Sequence, residues 1–450
     1  MELENVAEIE HATWANRMEL FRLGIAFLFI VGIMLFVGSR GSGISHMLVV
    51  AAMIGGYMAM NIGANDVANN VGPAVGSRAI TLTGAILIAA VFEGMGALVA
   101  GGEVVGTIKK GIIDPAMIDN TDTFVWLMMG ALLAGALWLN LATAIGAPVS
   151  TTHSIVGGVL GAGIAAGGWG IANWATVGQI AASWIISPVM GGVIAAAFLY
   201  LIKRTITYKA EMLKAAVGVV PLLIGVMAWA FSAYLALKGL KKLWKVEMGT
   251  ALLIGMGAGV FIVLITRPLI RRLSRRLEND KKSVNSLFTI PLIFAAALLS
   301  FAHGANDVAN AVGPLAAIFS VVKTKSVAMQ VEVPIWMLAI GGVAVGGGLL
   351  AFGTRVMETI GGKITEMTPV RGFCAQFGAA STILLCSRLG LPVSTTHVLV
   401  GAVVGVGFMR GMGFLDMRLL RNIASSWVVT LPFTVILAMI LYKLLILLFL

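Results

Sequence analysis

The chain has 450 residues, of which 59% are hydrophobic and only 11% charged, and its mean hydropathy is +0.98. Soluble domains carry roughly 25% charged residues, so the composition excludes one and predicts an all-α polytopic protein that lives in a lipid bilayer. The net charge of +11 does not point to nucleic acid, because the basic residues collect in loops between apolar runs.

Glu2, Glu4, Glu8 and Glu10 precede the first apolar run, which lacks the basic start of a cleavable signal and is expected to be retained. A helix needs about 20 apolar residues to cross a ~30 Å hydrocarbon core. By that measure thirteen spans follow one another: 21–38, 47–62, 79–101, 124–146, 152–168, 175–202, 215–237, 249–266, 287–303, 334–353, 370–391, 395–410 and 421–449. Those at 47–62, 152–168, 287–303 and 395–410 are short and abut polar motifs, as broken or re-entrant helices at the membrane midplane do. About 12–13 transmembrane segments are therefore expected.

Lys203, Arg204, Lys209 and Lys214 lie in one loop, and Arg267, Arg271, Arg272, Arg275, Arg276, Lys281 and Lys282 in another two spans later. The positive-inside rule places both in the cytoplasm. Lys238, Lys241, Lys242 and Lys245 fall on the opposite side and weaken that assignment. Cys374 and Cys386 form neither a disulfide framework nor a metal site by themselves and read as small buried hydrophobes.

Two polar motifs occur twice. Gly63-Ala64-Asn65-Asp66-Val67-Ala68-Asn69-Asn70-Val71-Gly72-Pro73 returns with one change as residues 304–314, offset by 241. Pro148-Val149-Ser150-Thr151-Thr152-His153 returns unchanged as residues 392–397, offset by 244. The chain thus divides into a leading tail and span (1–46), a first repeat (47–202), two middle spans with the basic loop (203–286) and a second repeat (287–450). Seven spans separate the two repeat starts, and an odd number gives the second repeat the opposite orientation. Inverted repeats are typical of secondary transporters, which hold substrate near the midplane where the repeats meet.

Asp66 and Asp307 each stand in an apolar stretch, where an acid costs about 2.5–3.5 kcal/mol on insertion scales. Such acids normally face a cavity and serve ions or substrate. With Asn65, Asn69, Asn306 and Asn310 they offer hard oxygen ligands for Na⁺, or a carboxylate for proton coupling. The bracketing Gly63, Gly72 and Pro73, with Gly304, Gly313 and Pro314, are expected to break the helix and free backbone carbonyls.

The second motif reads as an anion cradle. Proline suits a helix start, and the helix N-terminus that follows offers N–H donors to an anion. Ser150, Thr151, Thr152, Ser394, Thr395 and Thr396 add hydroxyls, and no Arg or Lys is present in the motif to slow release. His153 and His397 fit better as loop-fixing groups than as a proton relay. His303 has Ile62 as its counterpart and falls outside a symmetric mechanism. Glu93, set against residues 345–346 by the repeat alignment, is a third intramembrane acid that either biases one cation site or pairs with a neighbour. Glu103, Lys109 and Lys110 are expected at the interface, and Gly346-Gly347-Gly348 reads as helix packing.

On the paired Gly-Ala-Asn-Asp-Val-Ala-Asn and Pro-Val-Ser-Thr-Thr-His motifs, the chain from about residue 47 onward resembles the inorganic phosphate transporter family, the PiT-type sodium- or proton-coupled phosphate permeases. The resemblance implies cation–phosphate symport by alternating access, with no enzymatic activity and no cofactor beyond Na⁺ or H⁺. It assigns Asn65, Asp66, Asn306 and Asp307 to the coupling side, Asp66 and Asp307 holding Na⁺ in a sodium-coupled protein. It assigns Ser150, Thr151, Ser394 and Thr395 mainly to phosphate, with Thr152 and Thr396 alongside. The second half lacks an acid matching Glu93, and the span 21–38 lies outside the repeat. The implied setting is a multi-pass protein of the bacterial inner membrane, with a homodimer as one form. The alternative is a sulfate or other oxyanion permease of the same fold. No His-Glu-x-x-His or Gly-x-Ser-x-Gly pattern supports an intramembrane hydrolase.

Overall fold

The computed structural model describes residues 2–40, 45–100, 111–118, 120–238, 246–326, 333–388 and 393–449. Glu103, Lys109, Lys110, Lys241, Lys242, Lys245 and Pro392 lie outside them. The described chain is almost wholly helical, as its apolar runs require: a backbone in lipid must satisfy its own hydrogen bonds.

Helix α1 (Glu2–Gly38) is followed by α2 (His46–Ile62), α3 (Ala68–Gly76), α4 (Leu82–Ala100), α5 (Thr121–Ala144), α6 (Thr151–Gly167) and α7 (Trp174–Ile202). Then come α8 (Met212–Lys238), α9 (Met248–Ser274), α10 (Lys281–Leu287), α11 (Thr289–Asp307), α12 (Ala309–Thr324) and α13 (Ile335–Phe352). The chain ends with α14 (Thr354–Glu358), α15 (Pro369–Arg388), α16 (Thr395–Phe408) and α17 (Met417–Phe449). Side-chain oxygens cap the starts: Asn120 accepts from the Asp122 N–H at 2.8 Å, and Asn173 from the Thr176 N–H at 3.1 Å. At the surface, the N–H of Ser283 donates to Asp280 at 2.7 Å and holds that carboxyl below its usual range.

Among the described residues ten helices are long and apolar enough to cross a membrane. A helix lies along the described part of each of the thirteen expected spans. Two boundaries differ. The runs expected to stop before the first motif continue through it, over His46–Gly76 and Thr289–Thr324. The motif does not break the helix: Gly63–Val67 widens into a π-turn, and Val308 forms a single turn between α11 and α12. Pro73 and Pro314 are accommodated inside α3 and α12. A π-turn keeps the backbone bonded while re-aiming side chains, so it presents Asp66 without leaving loose carbonyls in an apolar environment.

Packing follows the repeat and exchanges elements between its copies. Helix α4 packs on α11 and α13 on α2; α7 packs on α16 and α17 on α6. Glycine makes the approaches close enough. A Cβ at Gly63 would run into the carbonyl of Val345, and one at Gly304 into the carbonyl of Glu93. The same reciprocity links Gly96 with Phe301 and Gly348 with Met60. Gly346 faces Ala90, so this part of the glycine run is close packing. The buried core therefore lies where the repeats interlock: the most apolar stretch of Thr289–Thr324 is 89% buried, against 17% for that of Met417–Phe449. Helices α8 and α9 pack chiefly on each other, and α1 lies against α2 and α13. Cys374 and Cys386 are buried and form no disulfide.

Candidate functional site

The π-turn and the turn at Val308 bring Asp66 and Asp307 to one buried point at which the capped starts of α6 and α16 also arrive. Asp66 accepts from the Thr151 hydroxyl at 2.6 Å and the Thr151 N–H at 3.3 Å, and from the hydroxyl of Thr396. Asp307 accepts from the Thr395 hydroxyl at 2.6 Å and the Thr152 hydroxyl at 3.3 Å. Each carboxylate is thus held by one hydroxyl from its own repeat and one from the other. One oxygen from each aspartate and a ring nitrogen of His303 lie within 4.8 Å of one another.

The asparagines divide by role. Asn65 donates to Thr143 and to the Ala147 carbonyl, both at 3.0 Å, and accepts from the Val149 N–H at 3.0 Å. It thereby pins the segment leading into α6. Asn306 donates to Asp307 at 2.9 Å and to the Val393 carbonyl at 3.3 Å. Asn69 donates to Thr396 at 2.8 Å, and Asn310 to Thr151, Thr152 and Asp307 at 3.1, 3.2 and 3.1 Å. The oxygens Oδ1 of Asn69 and Asn306 are buried without a hydrogen-bond partner among the described residues. Two uncommitted amide oxygens beside two carboxylates make a donor set suited to a hard cation.

Ser150 and Ser394 accept from the N–H groups of His153 and His397 at 3.1 and 3.2 Å, and so cap α6 and α16. The four threonine hydroxyls point at the carboxylates. The hydroxyls expected to serve an anion and the carboxylates expected to serve a cation are therefore in direct contact.

Departures from symmetry form one chain. Glu93 accepts from Asn70 at 2.7 Å and lies 2.8 Å from Nδ1 of His303. Nε2 of His303 lies 2.9 Å from Asp307, within ion-pair range but outside hydrogen-bond geometry. Gln376 donates to the Asn70 carbonyl at 2.7 Å. Their repeat counterparts are Val345, Ala311, Ile62 and Leu132, all apolar. Of the two roles open to Glu93 from sequence, the structure gives it neighbours to pair with. His303, set aside as unmatched in the repeat, joins Glu93 to the Asp307 half. The signal for it was present: Asn70→Ala311 is the one change between the motif copies, and Ile62 against His303 immediately precedes it.

Next to the threonines the ring of His153 lies tilted with its centroid 3.6 Å from that of Trp184, that of His397 stacks 3.7 Å from Trp427, and the two imidazoles meet edge-on at 4.4 Å. Trp427 donates to the Pro148 carbonyl at 3.2 Å. The histidines thus brace the two motif loops against each other through aromatic contact rather than through strong hydrogen bonds. Trp184 and Trp427, equivalent residues on α7 and α17, carried no sequence signal as part of a motif.

Paired intramembrane acids shared between interlocked repeats define a polytopic membrane transporter. A family model described as the phosphate transporter family matches residues 62–438. A solved structure described as "The sodium-dependent phosphate transporter" is similar at TM-score 0.85 and 38% identity, covering 90% of this chain and all of that one. A provisionally named phosphate permease of Helicobacter pylori is 50% identical over 415 residues, 91% of this chain and 78% of the relative. Inorganic phosphate transporter 2-1, chloroplastic, of Arabidopsis thaliana is 37% identical over 436 residues, 90% of this chain and 74% of the relative. The chain belongs to the phosphate transporter family, a class of membrane transporters and not of enzymes.

Proposed function

We propose that this protein imports inorganic phosphate by symport with Na⁺ through alternating access. The observation that carries the reading is the pair of buried carboxylates, Asp66 and Asp307, each bound by a threonine hydroxyl from both repeats. Two carboxylates at one point repel a phosphate dianion, so cations must arrive first. The free oxygens of Asn69 and Asn306 favour Na⁺ over H⁺, since a proton would need no such extra ligands. The name of the solved relative, a sodium-dependent phosphate transporter, agrees.

Once cations neutralise the carboxylates, the hydroxyls of Thr151, Thr152, Thr395 and Thr396 are released toward the anion. The N-terminal N–H groups of α6 and α16 supply further donors and a favourable dipole. Ser150 and Ser394 keep those helix starts in place. The units that rock are the repeats 47–202 and 287–450, oppositely oriented across the bilayer, with 203–286 between them and 1–46 ahead. The basic loops set the cytoplasmic side of a bacterial plasma membrane, and a homodimer is the assembly we expect. No cofactor beyond the coupling ion is required.

The test is radiolabelled phosphate uptake into proteoliposomes under an inward Na⁺ gradient, with excess sulfate as competitor. Uptake that requires Na⁺ and ignores sulfate is expected. Uptake indifferent to Na⁺ but driven by a proton gradient would replace the coupling ion, and full sulfate competition would replace the substrate.

A further inference from the structure

We infer that His303, Asp66 and Asp307 form a binding site for a divalent first-row transition metal of the Zn²⁺ type, with Glu93 holding the imidazole from behind. The site shares its carboxylates with the Na⁺ reading above but does not depend on it.

The histidine decides the chemistry. Carboxylates and amide oxygens alone suit hard cations, whereas an imidazole nitrogen suits zinc and its first-row neighbours. Glu93 accepts from Asn70 at Oε1, 2.7 Å away, and meets Nδ1 of His303 at Oε2, 2.8 Å away. Both of its oxygens act as acceptors, which places a proton on Nδ1 and, in the neutral ring, a lone pair on Nε2. That nitrogen is fully buried and has no hydrogen-bond partner among the described residues, although Asp307 lies 2.9 Å from it. Metal-ligating imidazoles are held in this way, with the second ring nitrogen bonded to a carboxylate behind.

The spacing fits one ion. Ligands about 2.0–2.2 Å from zinc lie roughly 3–4 Å from one another. Nε2 and Asp307 already stand at 2.9 Å, and one oxygen of each aspartate and a ring nitrogen of His303 all fall within 4.8 Å. A small inward shift of the side chains completes the set. The uncommitted Oδ1 atoms of Asn69 and Asn306 offer further oxygen ligands.

The first repeat has no such device of its own. Ile62 stands where His303 does, and Val345 is the counterpart of Glu93. Three buried carboxylates around one imidazole leave the cluster net negative, which favours a dication. An ion held by both aspartates also excludes Na⁺ from them, so the two metals are expected to compete.

Zinc binding is measured by titration against a chromophoric chelator, on the full chain without an affinity tag, in detergent free of phosphate and Na⁺. Wild type is compared with His303→Gln, Glu93→Gln and His46→Gln. His46, exposed at the start of α2, controls for incidental zinc on a surface histidine. One equivalent is expected in wild type and His46→Gln, bound about 100-fold or more weakly in His303→Gln and about 10–100-fold more weakly in Glu93→Gln. Mg²⁺ in about hundredfold excess is expected not to displace it, because that ion does not favour nitrogen. Zinc K-edge X-ray absorption on wild type needs no variant to fold, and is expected to show nitrogen and oxygen ligands with the outer-shell scattering of one imidazole. No equivalent bound by wild type, a shell without imidazole, or unchanged affinity in His303→Gln overturns the site and leaves Glu93, His303 and Asp307 as a structural ion-pair network. Excess Na⁺ is expected to weaken zinc binding; zinc that Na⁺ leaves untouched keeps this site standing and removes Na⁺ from the carboxylates instead.

Discussion

Thr396, at the start of α16 in the second repeat, donates its hydroxyl hydrogen bond to Asp66 in the first, and it does so while accepting from Asn69 at 2.8 Å. Thr152 makes the reciprocal bond to Asp307 at 3.3 Å. The two repeats are therefore joined through their buried charges as well as through apolar packing. Any motion that separates the repeats must part these bonds, and in the proposed cycle a cation at the carboxylates replaces the hydroxyls.

Thr396→Val tests that join. It keeps the side-chain shape, removes the hydroxyl and leaves a buried carboxylate one donor short, which costs about 1–3 kcal/mol. Lower thermal stability in Na⁺-free detergent and slowed uptake are expected, with Thr396→Ser close to wild type. Equal behaviour of Val and wild type would show that the cross-repeat bond carries no energy.

Asp66→Asn separates charge from shape. An amide retains an acceptor for Thr151 or Thr396 but no longer attracts a cation. Na⁺-driven phosphate uptake is expected to fall to background while the detergent-purified variant still elutes as a single folded species. Normal uptake would remove Asp66 from the coupling machinery. Asp307→Asn is expected to lose uptake and also to free His303, 2.9 Å away, from its carboxylate.

How legible was this in the sequence? Membrane class, helix positions and the residues that converge were all readable, because apolar run length and duplicated polar motifs are local signals. Helix continuity through Gly63–Val67 was not readable. Glycine and proline allow a break but do not require one, and the chain instead widens into a π-turn at Gly63–Val67. The direction of the threonine hydroxyls was equally hidden. Ser-Thr-Thr at a helix start announces capping, yet Ser150 alone caps, and Thr151 and Thr152 reach carboxylates 85 and 155 residues away. The His303–Glu93 contact spans 210 residues and belongs to no motif. Only the contrast between repeat copies pointed there.

Close packing at the exchange point gives a sharp contrast among glycines. Gly63→Ala and Gly304→Ala would drive a methyl group into the backbone of Val345 and Glu93, where no side chain can rotate away. Gly94, on the same helix as Glu93, has open space for 4 Å around the position a methyl group would take. The first two substitutions are expected to prevent accumulation of folded protein, and Gly94→Ala to be tolerated at wild-type yield. Robust expression of all three would mean the interlock is looser than the contacts indicate.

The uncommitted oxygens of Asn69 and Asn306 make Na⁺ binding measurable without transport. A ligand that binds only the native state stabilises it by about 2.7 kcal/mol at a hundred times its dissociation constant. In phosphate-free detergent solution, Na⁺ is therefore expected to raise the melting temperature saturably, with choline at equal ionic strength as the reference. Asp66→Asn should flatten the response because it removes half of the attracting charge. A rise that choline reproduces would reduce the effect to ionic strength and withdraw Na⁺ from the carboxylate site. A rise abolished by Asp66→Asn alone would place the ion among the same four threonine hydroxyls that hold the carboxylates.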